Sequence, residues 1–271
     1  MALRLWKKKL PPKEDKQFKQ ANKITSKVLD DFSINTLISF LNSKKIKSLD
    51  YPVSSGKEAV VYRATDVNGQ FIAVKIFKFE TTALRKMGDY IEGDPRFVHV
   101  RRNRRSMVFD WTKKEFSNLQ LASKLNVSCP LPLLFKGNIV LMEFEGINGI
   151  PYAKLNNVLL HDPEDFFKLL VENVIKTTKA GLVHADLSQY NILVKEDENG
   201  KQIPVIIDWG QAVMFEHPKS MDFLARDVSV ICNYFSKLGL EIDEQKILKK
   251  IKSKIPQSIL KRISSTKIAE N

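Results

Sequence analysis

The nine residues from Val183 to Asn191, Val-His-Ala-Asp-Leu-Ser-Gln-Tyr-Asn, restrict the fold of this chain more than any other segment. They follow a predicted helix and precede a predicted strand, so they form a loop between two regular elements. Asp-x-x-x-x-Asn is the spacing of a catalytic loop, in which Asp186 accepts or orients a hydroxyl proton and Asn191 offers a neutral oxygen to a divalent cation. We expect His184 to be a packed scaffold residue rather than a base.

A second carboxylate, Asp208, stands at the end of the apolar run Pro204-Val-Ile-Ile-Asp208. Such a run predicts a buried strand, and a carboxylate just beyond it is suited to hold a hard divalent cation against phosphate oxygens. Alone, this pattern would be an ordinary strand end. Because Asn191 and Asp208 flank a short predicted hairpin, we expect both to ligate the metal of one metal–phosphate site.

Two patterns in the first half of the chain also favour phosphate binding. The run Ser54-Ser-Gly-Lys-Glu-Ala-Val-Val-Tyr62 predicts a strand–turn–strand whose small residues let backbone N–H groups approach phosphates, although its single glycine also fits a plain hairpin. Lys75 lies within the apolar strand Phe71–Phe79 and needs a partner, because an unpaired buried charge is costly. Glu115 is the candidate partner, and a solvated helix face is the alternative interpretation of that glutamate.

The remaining pattern predicts an α+β chain with a small strand-rich N-lobe and a larger helical C-lobe. Helical spacing covers 32–43, 111–125, 163–180, 221–238 and 244–262. The predicted divisions are 1–49, a basic arm and helix; 50–142, the N-lobe with a flexible insertion at 80–110; 143–150, the interlobe hinge; and 151–271, the C-lobe. A linker as long as the insertion is typically functional or mobile.

The charge balance is strongly basic, with a formal net charge of +13 over 271 residues. Such a field attracts polyanions, but a lysine-rich composition that serves solubility gives the same balance. No apolar stretch approaches the length of a membrane span, and none follows the basic N-terminus as a secretory signal would require. The two cysteines are too few for a disulfide framework, so we expect a reduced, cytoplasmic setting.

Together these motifs resemble the RIO family of atypical protein kinases, and the nearest match is its first branch, the Rio-one type. The carriers of the resemblance are Ser55–Ala59, Tyr90–Phe97, Leu182–Asn191, Ile207–Ala212 and Phe223–Asp227. The tract Tyr90-Ile-Glu-Gly-Asp-Pro-Arg-Phe97 discriminates best, because ordinary protein kinases have no counterpart. The second branch carries an N-terminal winged helix, for which too few residues precede the predicted phosphate loop.

The resemblance implies a two-lobed kinase fold without the usual activation segment and peptide-docking helices. It implies ATP as cosubstrate with Mg²⁺ or Mn²⁺, serine autophosphorylation, ATP hydrolysis and a role in maturation of the small ribosomal subunit. The implied partner is the RNA-rich surface of the pre-ribosomal small subunit. The protein is expected to be a cytoplasmic monomer or weak oligomer without membrane attachment.

The site residues of the family carry over onto matching positions of this chain. Lys75 is implied to contact the α- and β-phosphates, to pair with Glu115 and to act in catalysis with Asp186. Asp227 is implied to brace the catalytic loop. The positions implied to cover the triphosphate or to line the nucleotide pocket are Ser55, Gly56, Lys57, Val61, Met142, Glu143 and Glu145, the last two through backbone groups at the adenine edge.

Two residues are candidate phosphoacceptors. Ser106 lies in the basic insertion, where an ordinary loop serine is the alternative, and Asp208 is a proposed acceptor in an ATPase cycle of the family. Trp209 stands where many kinases have phenylalanine, and Gln189 where an acidic residue is common in the family. Neither departure removes a ligand, so activity is still expected.

Two other functions fit some of these motifs. Small-molecule phosphotransferases of the aminoglycoside type share a His-x-Asp-x-x-x-x-Asn loop and an Ile-Asp-Trp strand end. They usually carry a large acidic C-terminal insertion, whereas the C-terminal region here is short and basic. The other alternative is a catalytically silent kinase fold that clamps a ribosomal precursor, and the presence of every catalytic residue type argues against it.

Overall fold

The computed structural model describes residues 29–81, 84–97 and 103–261, so most of the predicted N-terminal arm lies outside the described residues. The described chain forms a β-rich N-lobe and a larger, mainly helical C-lobe, which confirms the predicted α+β architecture. No helix in these ranges has the length and apolar character needed to cross a membrane. Cys129 and Cys232 are both free thiols.

The N-lobe is built on one antiparallel sheet with the strand order β1-β2-β3-β5-β4. Its strands are β1 (Ser48–Ser55), β2 (Ala59–Thr65), β3 (Phe71–Phe77), β4 (Pro132–Lys136) and β5 (Ile139–Glu143). Every residue of β3 after Phe71 is buried. Lys75 is in register with Val61 of β2 and Val140 of β5, so backbone pairing on both sides fixes its position.

Helix α1 (Asp31–Asn42) covers one face of this sheet. Asp30 caps the helix, because its Oδ1 accepts a hydrogen bond from the Ser33 N–H at 2.7 Å. Leu37 and Phe40 pack into a buried cluster with side chains of β2, β3 and β5. This helix corresponds to the one predicted at 32–43.

Helix α2 (Leu84–Ile91) lies within the predicted insertion at 80–110. Helix α3 (Arg104–Lys124) begins within the insertion and extends beyond it. The sequence predicts the start of α3 at residue 111, which is wrong. Asn103 caps the helix earlier, because its Oδ1 accepts from the Ser106 N–H at 2.8 Å. Much of the 80–110 segment is therefore helical, and Ser106 lies in the first turn of α3 rather than in a loop. The mobility of this segment stays a prediction.

The C-lobe follows a short hairpin of β6 (Gly146–Ile147) and β7 (Ile150–Pro151). Its elements in chain order are the 3₁₀ turn Leu155–Asn157, α4 (Pro163–Lys179), β8 (Leu182–Val183), β9 (Ile192–Glu196), β10 (Gln202–Ile206), the 3₁₀ turn Trp209–Gln211, β11 (Val213–Met214), α5 (Ser220–Lys237) and α6 (Glu244–Lys252). Because α5 begins soon after β11, the described stretch 212–219 has no room for a long activation segment.

The ends of two C-lobe helices follow from local chemistry. Asp162 caps α4 as predicted, with its Oδ1 accepting from the Asp165 N–H at 2.9 Å. The single helix predicted over 244–262 is wrong, because α6 ends at Lys252 and helical structure resumes at 257–261. Pro256 lies in this break, where it has no N–H to continue a helix.

Strand pairing brings the two predicted functional loops together. The loop between β8 and β9 carries Asp186 and Asn191, and Asp208 follows β10. β9 and β10 pair along their full length, and the Ile207 N–H donates to the Asn191 carbonyl at 3.0 Å. Asn191 and Asp208 therefore emerge from neighbouring backbone at the same end of this hairpin.

Candidate active site

The two lobes enclose a cleft with a volume of about 690 Å³. The residues that the sequence predicts to hold nucleotide or metal, or to act in catalysis, all line this cleft: Ser55, Gly56, Lys57, Val61, Lys75, Glu115, Met142, Glu143, Glu145, Asp186, Asn191 and Asp208. They come from both lobes and from six separate parts of the sequence. Ser106 does not line this cleft.

Lys75 lies between two carboxylates at the back of the cleft. Its Nζ is 2.6 Å from Oε1 of Glu115 and 3.0 Å from Oδ1 of Asp208. Burial by itself lowers the pKa of Lys75, but the two carboxylates outweigh burial and raise the pKa above its ordinary value. Partial removal from water raises the pKa of Asp208, whose side chain is still 47% exposed, and the Lys75 cation more than reverses this, so that pKa lies below its ordinary value. The site therefore keeps a cationic lysine beside an ionised aspartate.

Two side-chain amides orient Asp186. Asn191 Nδ2 donates to Oδ2 of Asp186 at 3.0 Å and to its backbone carbonyl at 2.8 Å. Gln211 Nε2 donates to the same Oδ2 at 3.2 Å. Gln211 belongs to the Ile207–Ala212 motif, but nothing in the sequence assigned it this contact.

The buried carboxyl group of Asp227 holds the backbone of the catalytic loop through hydrogen bonds. Asp227 of α5 accepts the Ala185 N–H at Oδ2 (2.7 Å) and the Leu187 N–H at Oδ1 (3.0 Å). Burial raises the pKa of Asp227 to about 7, although the two N–H donors act in the opposite direction. These contacts span both neighbours of Asp186, so Asp227 fixes the backbone that carries the candidate catalytic carboxylate.

His184 is enclosed in the same scaffold. Its Nδ1 accepts from the Asp186 N–H at 3.3 Å, and its Nε2 faces the Ile207 carbonyl at 3.1 Å, which assigns the proton to Nε2. Burial lowers the pKa of His184 to about 4, so the ring is neutral near pH 7. A neutral ring whose two nitrogens both contact backbone groups fits the expected role of His184 as a scaffold residue.

The backbone after Asp208 is anchored by two buried side chains of α3. Lys114 Nζ donates to the carbonyls of Gly210 (3.1 Å) and Ala212. Asn118 Nδ2 donates to the carbonyls of Trp209 (2.8 Å) and Ala212 (2.9 Å). Sequence reasoning missed both anchors. Helical spacing was the available signal, because a buried stripe that contains residues 111, 115, 118 and 122 also passes through 114.

Backbone groups at the end of β5 form the candidate adenine edge. The Glu143 N–H already donates to the Leu131 carbonyl at 2.8 Å, and the Glu145 carbonyl already accepts from the Tyr152 N–H at 3.0 Å. This leaves the Glu143 carbonyl and the Glu145 N–H as the candidate groups for a base. Burial and the neighbouring Glu143 carboxylate raise the pKa of Glu145 to about 7.

Asn191 and Asp208 have the donor chemistry for Mg²⁺. The Asn191 amide nitrogen is engaged by Asp186, which leaves its amide oxygen as the group that can face a cation. The Asp208 side chain is 47% exposed towards the cleft. Among the described residues no three His, Cys, Asp or Glu side chains cluster as a metal site. One carboxylate and one amide oxygen suit Mg²⁺, because this ion takes one or two protein carboxylates and completes its shell with phosphates and water.

This chain is similar in sequence to known proteins. The model of the RIO domain family matches residues 60–247. The RIO-type serine/threonine-protein kinase Rio1 of Methanocaldococcus jannaschii is 38% identical over 256 residues, which cover 92% of this chain and 86% of that protein. The protein of the same description from Haloferax volcanii is 34% identical over 221 residues, covering 82% of this chain and 74% of that protein.

A solved structure supports the fold independently. The crystal structure of the Rio2 kinase–ADP/Mg²⁺–phosphoaspartate complex from Chaetomium thermophilum superposes with a TM-score of 0.64. The match covers 86% of this chain and 74% of that chain, at 19% sequence identity. This likeness shows that the two chains share the two-lobed fold.

Proposed function

This chain belongs to the RIO family of serine/threonine-protein kinases, and from that premise we propose that it transfers the γ-phosphoryl group of Mg²⁺·ATP to serine hydroxyls. The observation that carries the proposal is the position of Lys75 between Glu115 and Asp208, in the same cleft that Asp186 lines. A cation held by two carboxylates is a preorganised site for phosphate oxygens, and it needs no rearrangement at the moment of reaction.

We assign the nucleotide as follows. The adenine edge bonds to the Glu143 carbonyl and the Glu145 N–H, with Val61 and Met142 lining the base. The triphosphate lies under the β1–β2 turn, where Ser55, Gly56 and Lys57 are exposed to the cleft and can close over it. Lys75 contacts the α- and β-phosphates.

The acceptor hydroxyl is assigned to Asp186. Its carboxylate is oriented by Asn191 and Gln211, which supports a fixed direction for the proton that it accepts or orients. Asn191 and Asp208 hold Mg²⁺, which supplies neutralisation of the phosphate charge when bound. Asp208 enters this role already ionised because Lys75 lies beside it.

The finer parts of the proposal concern acceptor and partner. Autophosphorylation is assigned to Ser106 or, as an acyl phosphate, to Asp208. The Asp208 assignment draws support from the phosphoaspartate named for the related Rio2 complex. A role in small-subunit maturation is supported by the net charge of +13, which suits an RNA-rich surface. We further propose that Mn²⁺ can replace Mg²⁺. We also propose that the protein is a cytoplasmic monomer or weak oligomer.

Three other functions compete with the proposed one. Family membership argues against the aminoglycoside-type phosphotransferase. A silent clamp on a ribosomal precursor would keep the fold and the basic charge but would not turn over ATP. Hydrolysis without protein labelling would make the chain chiefly an ATPase.

The deciding experiment follows γ-labelled ATP with the wild-type chain and the Asp208→Asn variant, each with Mg²⁺ and with EDTA. We expect wild-type turnover that requires metal, and loss of that turnover in the variant. Label recovered on Ser106, on Asp208 as a base-labile phosphate, or in solution distinguishes the acceptors. Asp222→Asn is the matched control, because that side chain is exposed on the first turn of α5. Equal, near-zero turnover in the wild type and in Asp208→Asn would favour the clamp and contradict the proposal.

A further inference from the structure

The tract Tyr90–Phe97 has no part in the nucleotide site, yet it is firmly docked in the structure. Tyr90 stacks on Phe223 of α5 with ring centroids 5.3 Å apart. Gly93 has φ +88, and a Cβ there would lie 2.8 Å from Cδ of Pro218. The tract therefore approaches the C-lobe more closely than a side chain at this glycine would allow.

This docking places a buried acid beside α3. The side chain of Asp94 is fully buried, and it accepts from Nε (2.9 Å) and Nη2 (2.7 Å) of Arg96. Its Oδ2 also lies 4.0 Å from Nζ of Lys114, whose side chain is fully buried as well. Burial of a lysine is costly, and it lowers the pKa of Lys114 to about 7, although the nearby Asp94 carboxylate offsets part of that cost.

The other contacts of Lys114 lead to the loop that carries Asp208. Its Nζ donates to the carbonyls of Gly210 and Ala212, and these two bonds need only N–H donors, so they form with a charged or a neutral amine. A Cβ at Gly210 would lie 2.9 Å from Nε1 of Trp111, so α3 lies directly against this loop. Lys114 thus occupies the contact between the tract, α3 and the residues after Asp208.

We infer that Lys114 is a positioning residue: held by Asp94, it fixes the backbone after Asp208 and so sets the direction in which that carboxylate meets a divalent cation. The Tyr90–Phe97 tract would then act on the metal site through Asp94 and Lys114, without touching nucleotide or metal. This inference rests on the proposed function of Asp208 as a metal ligand. Supporting groups of this kind typically change metal affinity by about ten- to a hundredfold when they are lost.

The test measures how strongly metal improves nucleotide binding. A fluorescent ATP analogue is titrated into the protein with Mg²⁺ and with EDTA, and the ratio of the two dissociation constants is the metal gain. In Lys114→Met we expect the metal gain to fall about tenfold while the affinity in EDTA changes less than about twofold. Lys114→Gln keeps one N–H donor group and should retain an intermediate gain. Lys113→Met is the matched control, because the neighbouring lysine is exposed.

A second pair of variants tests the path from the tract. Asp94→Asn should lower the metal gain in the wild-type background and should lower it no further in Lys114→Met, because both changes remove the same support. Additive losses would overturn the path through Lys114.

The outcomes separate this inference from the proposed function. A wild-type chain without any metal gain or turnover contradicts the proposed function itself. A wild-type chain with a metal gain that Lys114→Met and Lys114→Gln leave unchanged overturns the inference alone, and so does an equal loss of affinity with Mg²⁺ and with EDTA. Thermal melting is recorded for every variant, and failure of both Lys114 variants to fold would assign the residue to stability instead.

Discussion

Nζ of Lys75 on β3 lies 2.6 Å from Oε1 of Glu115 on α3, and neither side chain is more than 8% exposed. The pair joins the sheet to the helix across forty positions of sequence. Because the second carboxylate oxygen of Glu115 has no hydrogen-bond partner among the described residues, its charge depends chiefly on this lysine. The relationship makes one ion pair serve both the stability of the N-lobe and the alignment of the phosphate site.

Replacing Lys75 by Met should therefore affect two measurements. We expect turnover to fall by at least about a hundredfold, because a preorganised cation is lost. We also expect the free energy of unfolding to fall by about 3 kcal/mol, because Glu115, whose pKa burial raises to about 7 even beside the lysine, is left buried without its partner. Urea denaturation and an ATPase assay measure the two effects. Adding Glu115→Gln should recover part of the stability and none of the turnover, while Lys47→Met, an exposed lysine, should change neither.

Asp186→Ala should abolish phosphoryl transfer and leave ATP binding largely intact. Groups that accept or orient a proton typically contribute about 10²–10⁴-fold to the rate, and the cleft keeps Lys75 for the phosphates. Single-turnover kinetics with labelled ATP measure the rate, and equilibrium titration measures nucleotide affinity. Turnover equal to wild type in this variant would contradict the assignment of Asp186.

Gln211→Ala tests whether the orientation of Asp186 matters. A hydrogen bond to a charged group is worth roughly 1.5–3 kcal/mol, so we expect kcat to fall about tenfold with the KM for ATP nearly unchanged. Steady-state kinetics separate the two constants. Gln70→Ala, in the exposed β2–β3 turn, is the matched control. A rise in KM at constant kcat would instead place Gln211 in nucleotide binding.

His184→Gln should change how stability depends on pH. Burial lowers the pKa of His184 to about 4, so the folded chain binds fewer protons than the unfolded chain between pH 4 and 6.5. Stability from this group is therefore present above pH 6.5 and is lost as the pH falls towards 4. Glutamine does not titrate, so the stability difference between wild type and variant should narrow by about 2 kcal/mol from pH 7 to 4.5. Urea denaturation at several pH values measures it, and a constant difference would refute a buried neutral ring.

The sequence predicts a strand-rich part followed by a helical part because its local patterns match the strands and helices of the structure. The apolar run from Phe71 identifies β3, and helical spacing identifies α4 and α5, because these patterns are strong. The start of α3 was missed because an Asn cap within a basic run, Asn103, gives no apolar signal. The break in the last predicted helix was readable, since Pro256 forbids a continuous helix across it.

In the functional site, local sequence patterns likewise predict some residues, whereas tertiary packing alone determines others. Asp186, Asn191 and Asp208 stand at spacings that a short hairpin brings together, so sequence alone could place them. Lys113 and Lys114 are the same residue type, so only the helical phase of α3 distinguishes them, and it leaves the first exposed and the second buried. The partner of Lys114 comes from a tract that reaches it by tertiary docking, which no local pattern encodes.

The backbone at Asp208 has φ +65, in the left-handed region. Among residues with a side chain, Asn and Asp adopt this region most readily, and a β-branched or bulky residue there would add strain. A descendant of this protein that abandoned metal chemistry would thus keep its fold most easily by exchanging Asp208 for Asn or Gly. In such a lineage the loop would keep its backbone conformation after catalysis was lost. The loss would be visible as a substitution at position 208.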